Sequence, residues 1–332
     1  MTKNENEVLK KTLLHYINLE YYANGIDEEF QNLLEDLQKK CRFAIEDKST
    51  LNTKLQYNLV MRYVKEQVEE FRKKLEERLE DEAEVVMKEE QEFLNNLYNK
   101  TDSEILSQQE NMGDEEDKEI ENEETSGGKS EASKAALALG GMTLSKLLFA
   151  PIDGRDTTSQ FVERTAKNIT RTYDTAVRSG YLFGQKSEDV ANQVDRNMKQ
   201  ISRGMQAGIQ TAIPSYAKTT DRIFFKQNNM EVVWCAVLDG KGCIVCYSYN
   251  GLHYPSVVLA PTIPHNRCRC ILCPAKDLKE PVPTYEEYIE SLSDEEQYHI
   301  LGENRYNLWK QYGIELKQFV NNGRRLRLDE ID

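Results

Sequence analysis

Six of the seven cysteines crowd between positions 235 and 273: Cys235, Cys243, Cys246, Cys268, Cys270 and Cys273. Cys41 stands alone, far upstream. The first residues, MTKNENEVLKK, lack the apolar core of a secretory signal, and no run of about 18 apolar residues offers a membrane span. The expectation is a protein made in the cytosol, with no membrane partner. In a reducing compartment such a cluster reads as a metal site rather than a disulfide framework.

The spacing sharpens this reading. Cys243-Ile244-Val245-Cys246 is a CxxC turn, which lets two thiolates approach one ion from adjacent backbone positions. His265-Asn266-Arg267-Cys268-Arg269-Cys270 follows after a loop and offers a second chelate, as HxxC or as CxC. Two chelating pairs joined by a loop can close a tetrahedral structural zinc site. Five candidates compete for four places. Cys243, Cys246 and Cys268 are the expected ligands; His265 and Cys270 contend for the last position. Cys235 and Cys273 stand in reserve. Residues Cys268 and Cys270 point to one side if their segment is extended.

A catalytic zinc needs an open position and a nearby general base. HExxH is absent, and no HxE precedes the CxxC as deaminase chemistry requires. A redox CxxC needs a βαβ setting that the flanks do not suggest. His253 lies close in sequence to the cluster, but a surface or packed histidine is the simpler reading. The chain has no GxSxG, no dinucleotide fingerprint and no complete phosphate loop: in the stretch ending Gly128-Lys129-Ser130, Glu123 stands where the first glycine belongs. A non-enzymatic protein with a closed, structural zinc is expected.

The rest of the chain reads mainly as helix. Asn4 to Lys100 contains no proline and one glycine, Gly25. Val64, Val68, Phe71, Leu75, Leu79 and Val86 form a narrow apolar stripe that Glu82 interrupts, with charged flanks. An antiparallel bundle with the Leu13–Leu37 segment is favoured over a coiled coil, because the heptads are few and imperfect. From Glu110 to Glu124 the chain is a block of acid relieved by one lysine, Lys118, and it ends in Ser126-Gly127-Gly128. Such a block cannot bury apolar area and reads as a linker.

Ala135–Ala150 reads as a packed helix hairpin, too short for a membrane. Helix signals resume from Thr157 to Ala217, with breaks expected at Gly180 and Gly184, a cap at Ser187, and a break or kink at Pro214. Val232–Leu238 reads as strand, Tyr285–Leu292 and Asp294–Lys310 as helix. Lys plus Arg number 43 against 57 Asp plus Glu, a net charge of −14. That excludes a broadly basic nucleic-acid coat and leaves one local basic segment, Gly323-Arg324-Arg325-Leu326-Arg327, which reads first as a solvated tail and alternatively as a contact for DNA phosphates.

Trp234, Asp239, Cys243-x-x-Cys246, Gly251 and Pro264-His265-x-x-Cys268-Arg269-Cys270, followed by Pro274, resemble the C-terminal module of the Mu F-like phage head morphogenesis proteins, also called minor head or minor capsid proteins. Thr284-Tyr285-Glu286-Glu287-Tyr288, Ile300-Leu301-Gly302, Arg305, Leu308-Trp309, Phe319-Val320 and Leu328-Asp329-Glu330 resemble the tail that follows it, and Gly184 with Ser187-Glu188-Asp189-Val190 the helix before it. The resemblance covers about residues 180–330. The chain lacks the Arg-Thr-Glu-like segment frequent in the family before the tryptophan; Gly208–Pro214 stands there. Cys235 and Cys273 are additions to the pattern.

The resemblance implies a protein of phage head assembly, acting beside the portal and capsid or scaffold proteins in the host cytoplasm. It would be retained in few copies inside the virion head and in reach of packaged DNA. The alternatives are a toxin-like effector or enzyme whose activity lies in the N-terminal half, and a host zinc-module scaffold or regulator. The expected organisation is mainly α: an elongated helical region (1–107), an acidic linker (108–134), a helical middle region (135–229), a small α+β zinc-knuckle module (230–280) and a helical tail (281–332).

Overall fold

The computed structural model describes residues 7–47, 51–98, 144–152, 156–240, 242–262, 265, 267–278, 281–321 and 324–331. The acidic linker and the first part of the expected 135–150 hairpin lie outside the described residues; only its end is seen, as the short helix α3 (Leu144–Phe149).

The fold is mainly helical. Four long helices carry it: α1 (Glu7–Glu46), α2 (Lys54–Leu97), α4 (Thr158–Phe183) and α5 (Ser187–Gln227). The 44-residue α2 is about 66 Å long at 1.5 Å per residue. Capping boxes start two of them. Thr53 and Gln56 satisfy each other's backbone donors before α2, and Thr157 and Gln160 do so before α4. Gly184, in the left-handed conformation at φ 62°, closes α4.

Side-chain pairs fix the directions. His15–Glu90, Tyr22–Glu82 and Lys40–Glu70 run α1 antiparallel to α2. Tyr57–Asp174 and Ser159–Glu76 do the same for α2 and α4, and Tyr16–Asp221, Gln210–Asn24 and Arg42–Asp195 for α1 and α5. The result is a ring of four antiparallel helices. One core runs through them, from Phe30, Leu34 and Ile45 through Val64, Leu75 and Leu79 to Ile169, Val177, Met198 and Ile209. The stretches expected as separate regions, 1–107 and 135–229, therefore share this core.

Several local expectations differ from the structure. Glu82 does not break the apolar stripe; it is buried in it, held by the Tyr22 hydroxyl at 2.5 Å and by Arg78 at 2.7 Å. Gly180 lies within α4 because the helices need its missing side chain: a Cβ there would meet Val190 Cγ2 at 2.5 Å. Pro214 lies inside α5, which continues to Gln227. Its turn is braced by Ser215, whose hydroxyl donates to Thr211 O at 2.8 Å and to Ile152 O. Ser187 is the first helical residue rather than the cap; Lys186 takes the cap position without a side-chain bond, and Glu188 and Asp189 supply the acidic first turn.

Past α5 the chain turns through Asn229 into β1 (Val232–Cys235), centre of a three-stranded antiparallel sheet ordered β2-β1-β3. β2 is His253–Tyr254 and β3 is Ile271–Pro274, with Val233 opposite Cys273 and Trp234 opposite Leu272. The strand expected to reach Leu238 stops at Cys235. Alternation gives the sheet two uses. Val233, Cys235, Ile271 and Cys273 join the bundle core; Val232, Trp234 and Leu272 join a second core with Phe224, Phe225, Leu94, Cys246, Cys268 and Cys270. The sheet thus lies between the bundle and the cysteine cluster.

The tail adds α7 (Tyr285–Ser291), α8 (Asp294–Leu301) and α9 (Glu303–Tyr312); the helix expected over Asp294–Lys310 is split at Gly302. These helices enclose a third core of Tyr247, Tyr285, Ile289, Leu316 and Phe319. Among the described residues no helix is long and apolar enough to cross a membrane.

Candidate metal centre

Cys243 caps α6 (Ile244–Ser248), and its sulfur accepts the Cys246 backbone N–H at 3.3 Å. That turn brings Cys243 Sγ to 3.4 Å from Cys246 Sγ. The second arm comes back over it: His265 Nε2 lies 2.9 Å and Cys268 Sγ 3.8 Å from Cys246 Sγ. Donor atoms of Cys243, Cys246 and His265 lie within 4.8 Å of one another, as do those of Cys246, Cys268 and Cys270. All five residues singled out in the sequence therefore converge, and Cys246 belongs to both groups. Adjacent sulfurs of a tetrahedral site with metal–sulfur bonds of about 2.3 Å lie about 3.8 Å apart. The donor set fits a metal ion.

The thiols are tightly coupled. Hydrogen bonding with Cys246 holds Cys243 down, to about 4, against the opposing effect of burial. Bonds with Cys246 and then Cys270 hold Cys268 well below the ordinary thiol value. Cys246 is raised, first by its bond with Cys243 and next by that with Cys268. A cation among these sulfurs favours the thiolate of each.

The reserve cysteines stay outside. Cys235 and Cys273 alternate onto the opposite face of the sheet and are buried in the bundle core. Cys41 is also buried in the bundle core, beside Tyr173 of α4, and desolvation pushes its thiol to about 12. His253 is exposed on β2, 3.5 Å from Glu231, and takes no part.

A polar stripe on α5 holds the second arm, and the sequence reading did not single it out. Thr211 Oγ1 accepts the Arg267 backbone N–H at 3.0 Å, which anchors a residue with φ of 56°. Lys218, buried, donates from Nζ to Cys268 O. Arg222 donates to Val257 O, Ala260 O and Pro261 O at 2.7–2.9 Å, fixing the loop that joins the two arms. Thr211, Ser215, Lys218 and Arg222 recur at three- and four-residue steps in a helix stretch otherwise rich in buried residues. That periodic polar stripe was the available signal.

Other ties close the module. Arg269 forks onto Asp239, with bonds of 2.5 and 3.0 Å, joining the two arms across the surface. Asn250, buried, accepts from Ala236 N at 2.7 Å and donates to Pro283 O at 2.7 Å. Gly251, at φ 76°, passes so close to the chain that a Cβ would meet Val282 O at 2.7 Å. The basic segment near the C-terminus is paired in place: Arg324 forks onto Glu330, and Arg327 bonds Asp329 at 2.9 Å.

Comparison with protein-family models, curated proteins and solved structures gives no match to this chain. What the site defines is a Cys/His cluster able to hold a metal ion on a mainly helical scaffold.

Proposed function

We propose that the chain is a non-enzymatic minor head protein of the Mu F-like kind, with a structural zinc in its C-terminal module. The observation that carries the reading is the ordered set Trp234, Asp239, Cys243, Cys246, Gly251, His265, Cys268, Arg269 and Cys270. Each member of that set has a structural task in one small module: ligand, inter-arm ion pair, close-packed turn or core aromatic. Thiolate and imidazole donors favour zinc over the oxygen-seeking cations. Three thiolates and an imidazole around a zinc ion leave a net charge of about −1, and four thiolates about −2. The buried ammonium of Lys218 beside Cys268 offsets part of either.

In this reading the module is a rigid knob for the portal or for capsid and scaffold proteins, and the long bundle supplies reach. The protein works in the host cytoplasm during assembly and stays in the head. Contact with packaged DNA through Arg324–Arg327 requires exchange of the carboxylates of Asp329 and Glu330 for phosphates.

The test is peptide mass spectrometry on heads purified from an induced culture of the source, with elemental analysis of the purified chain. Recovery in DNA-filled heads is the expected result; recovery in procapsids alone makes the protein an assembly factor that departs. Absence from both, with abundant protein in the lysate, overturns the reading. Absence of stoichiometric zinc from protein purified without chelator overturns the metal assignment.

A further inference from the structure

A chain of buried titratable groups crosses the end of the bundle that carries the cysteine module. His15 Nε2 of α1 lies 2.7 Å from Glu90 Oε2 of α2. Asp221 of α5 is the neighbouring buried carboxyl, close enough that each of the two acts directly on the other's proton affinity. Asp221 Oδ2 accepts from the Tyr16 hydroxyl of α1 at 2.6 Å. Glu90 is fully buried and Asp221 nearly so, and Glu90 Oε1 and Asp221 Oδ1 find no donor. An ionised carboxylate only accepts, so two carboxyl groups bond each other only if one carries a proton. Two charges there would also face the desolvation cost of a dry interior.

The charged surroundings offset the pair only in part. Around the pair stand His15 and Tyr16 from α1 and Glu89 from α2, and against Tyr16 stand Lys218 from α5 and Cys273 from β3. Burial holds His15 below its usual value, against the opposing pull of Asp221 and Glu89, and Phe93 stacks on it at 4.0 Å. Lys218 is committed to Cys268 O, with its ammonium 5.6 Å from the Tyr16 ring centroid. Burial raises Glu90 to about 7 and Asp221 well above the carboxylate range.

The position gives the pair its consequence. One turn on from Glu90, Leu94 enters the module core, and one turn on from Asp221 so do Phe224 and Phe225. One turn before Asp221, Lys218 holds the Cys268 carbonyl. We propose that Glu90 and Asp221 share a single proton and act as a proton-dependent latch that holds the cysteine module on the bundle. Loss of the proton leaves two carboxylates side by side, which drives the α2 and α5 ends apart and loosens the module.

The sign follows from linkage. A carboxyl whose folded value is raised binds its proton more tightly folded than unfolded, so its stability contribution is present at low pH and is lost as pH rises through about 7. The test is hydrogen exchange on the metal-loaded full chain from about pH 6 to about pH 9, corrected for intrinsic rates. For the wild type, the opening constant at Leu94–Leu97 and in β1 and β3 should rise with pH up to about 7, by at most about tenfold per unit as one linked proton allows, and level off above it. Glu90→Gln, whose amide donates to Asp221 at all these pH values, should flatten that rise, and Asp221→Asn should do the same. Parallel profiles for wild type and both variants overturn the latch. If neither variant folds, infrared spectra of wild-type protein labelled with carbon-13 at Glu and Asp carboxyls decide. A protonated acid band that persists near neutral pH and disappears toward pH 9 supports the proposal, and its absence at pH 6 overturns it.

Discussion

Cys246 is the residue on which the metal centre turns, because its sulfur belongs to both donor groups. Cys246→Ser should abolish bound metal whichever of His265 and Cys270 completes the site, and Cys243→Ser should do so as a member of the CxxC arm. In each case the module should lose its fold, since binding energy at a structural site is folding energy. Elemental analysis and the Trp fluorescence of the purified variants check this. His265→Ala and Cys270→Ser separate the two contenders: a tetrahedral ion needs only one of them, so one variant should keep stoichiometric metal and the other lose it. Cys273→Ala should keep full metal content and cost about 1–2 kcal/mol through lost packing in the bundle core, read from denaturant midpoints. The five donors were legible in sequence because chelate spacing is a local property. What spacing did not reveal is that Cys235 and Cys273 are excluded. Their exclusion depends on strand alternation in β1 and β3, and so on a register between segments nearly forty residues apart.

The helices were legible from periodicity, while their caps, boundaries and partners were decided by packing: the one cap expected, Ser187, is instead the first helical residue. Gly208 shows why. It reads as a weak point in a helix, yet in α5 a Cβ at this position would meet the Phe161 ring of α4 at 2.1 Å. Gly208→Ala should therefore destabilise the bundle, by about 1–3 kcal/mol, despite alanine's higher helix propensity; a thermal melt of the variant would read this directly. Gly180 takes the same place opposite Val190, so the feature expected as a chain break is a contact point between antiparallel helices. Pro214 likewise does not end its helix: α5 continues to Gln227, with Ser215 beside the proline tying that turn to Ile152 O. The polar stripe of α5 was present in the sequence as Thr211, Ser215, Lys218 and Arg222. It had no meaning until the second ligand arm was seen lying across it. Arg222→Lys should lower metal retention under competition with a chelator while leaving helicity unchanged, because a single ammonium lacks the planar fork whose two nitrogens span the carbonyls of Val257, Ala260 and Pro261.

At the scale of the whole molecule the sheet is shared property: one face completes the bundle core and the other the module core. The two parts should therefore respond unequally to loss of metal. The bundle has its own extended apolar core, from Phe30 and Ile45 to Leu79 and Met198, far from the cysteines. The module's two short arms meet at the Cys/His cluster, so a bound ion would tie them together as ligands do in small metal domains. Chelation should leave most of the far-ultraviolet helical signal intact and abolish the near-ultraviolet signal of Trp234 and Tyr249, whose rings pack 5.3 Å apart. It should also expose Leu272 and Val257 to a hydrophobic dye. Loss of the bundle together with the module would mean that β1 and β3 are integral to the four-helix core rather than docked on its end. Retention of both signals would mean that the cluster folds without metal, and the thiols would then be structural only through packing. The unequal outcome is expected because Val233, Cys235, Ile271 and Cys273 add to one end of a core that the four helices have already closed along their length.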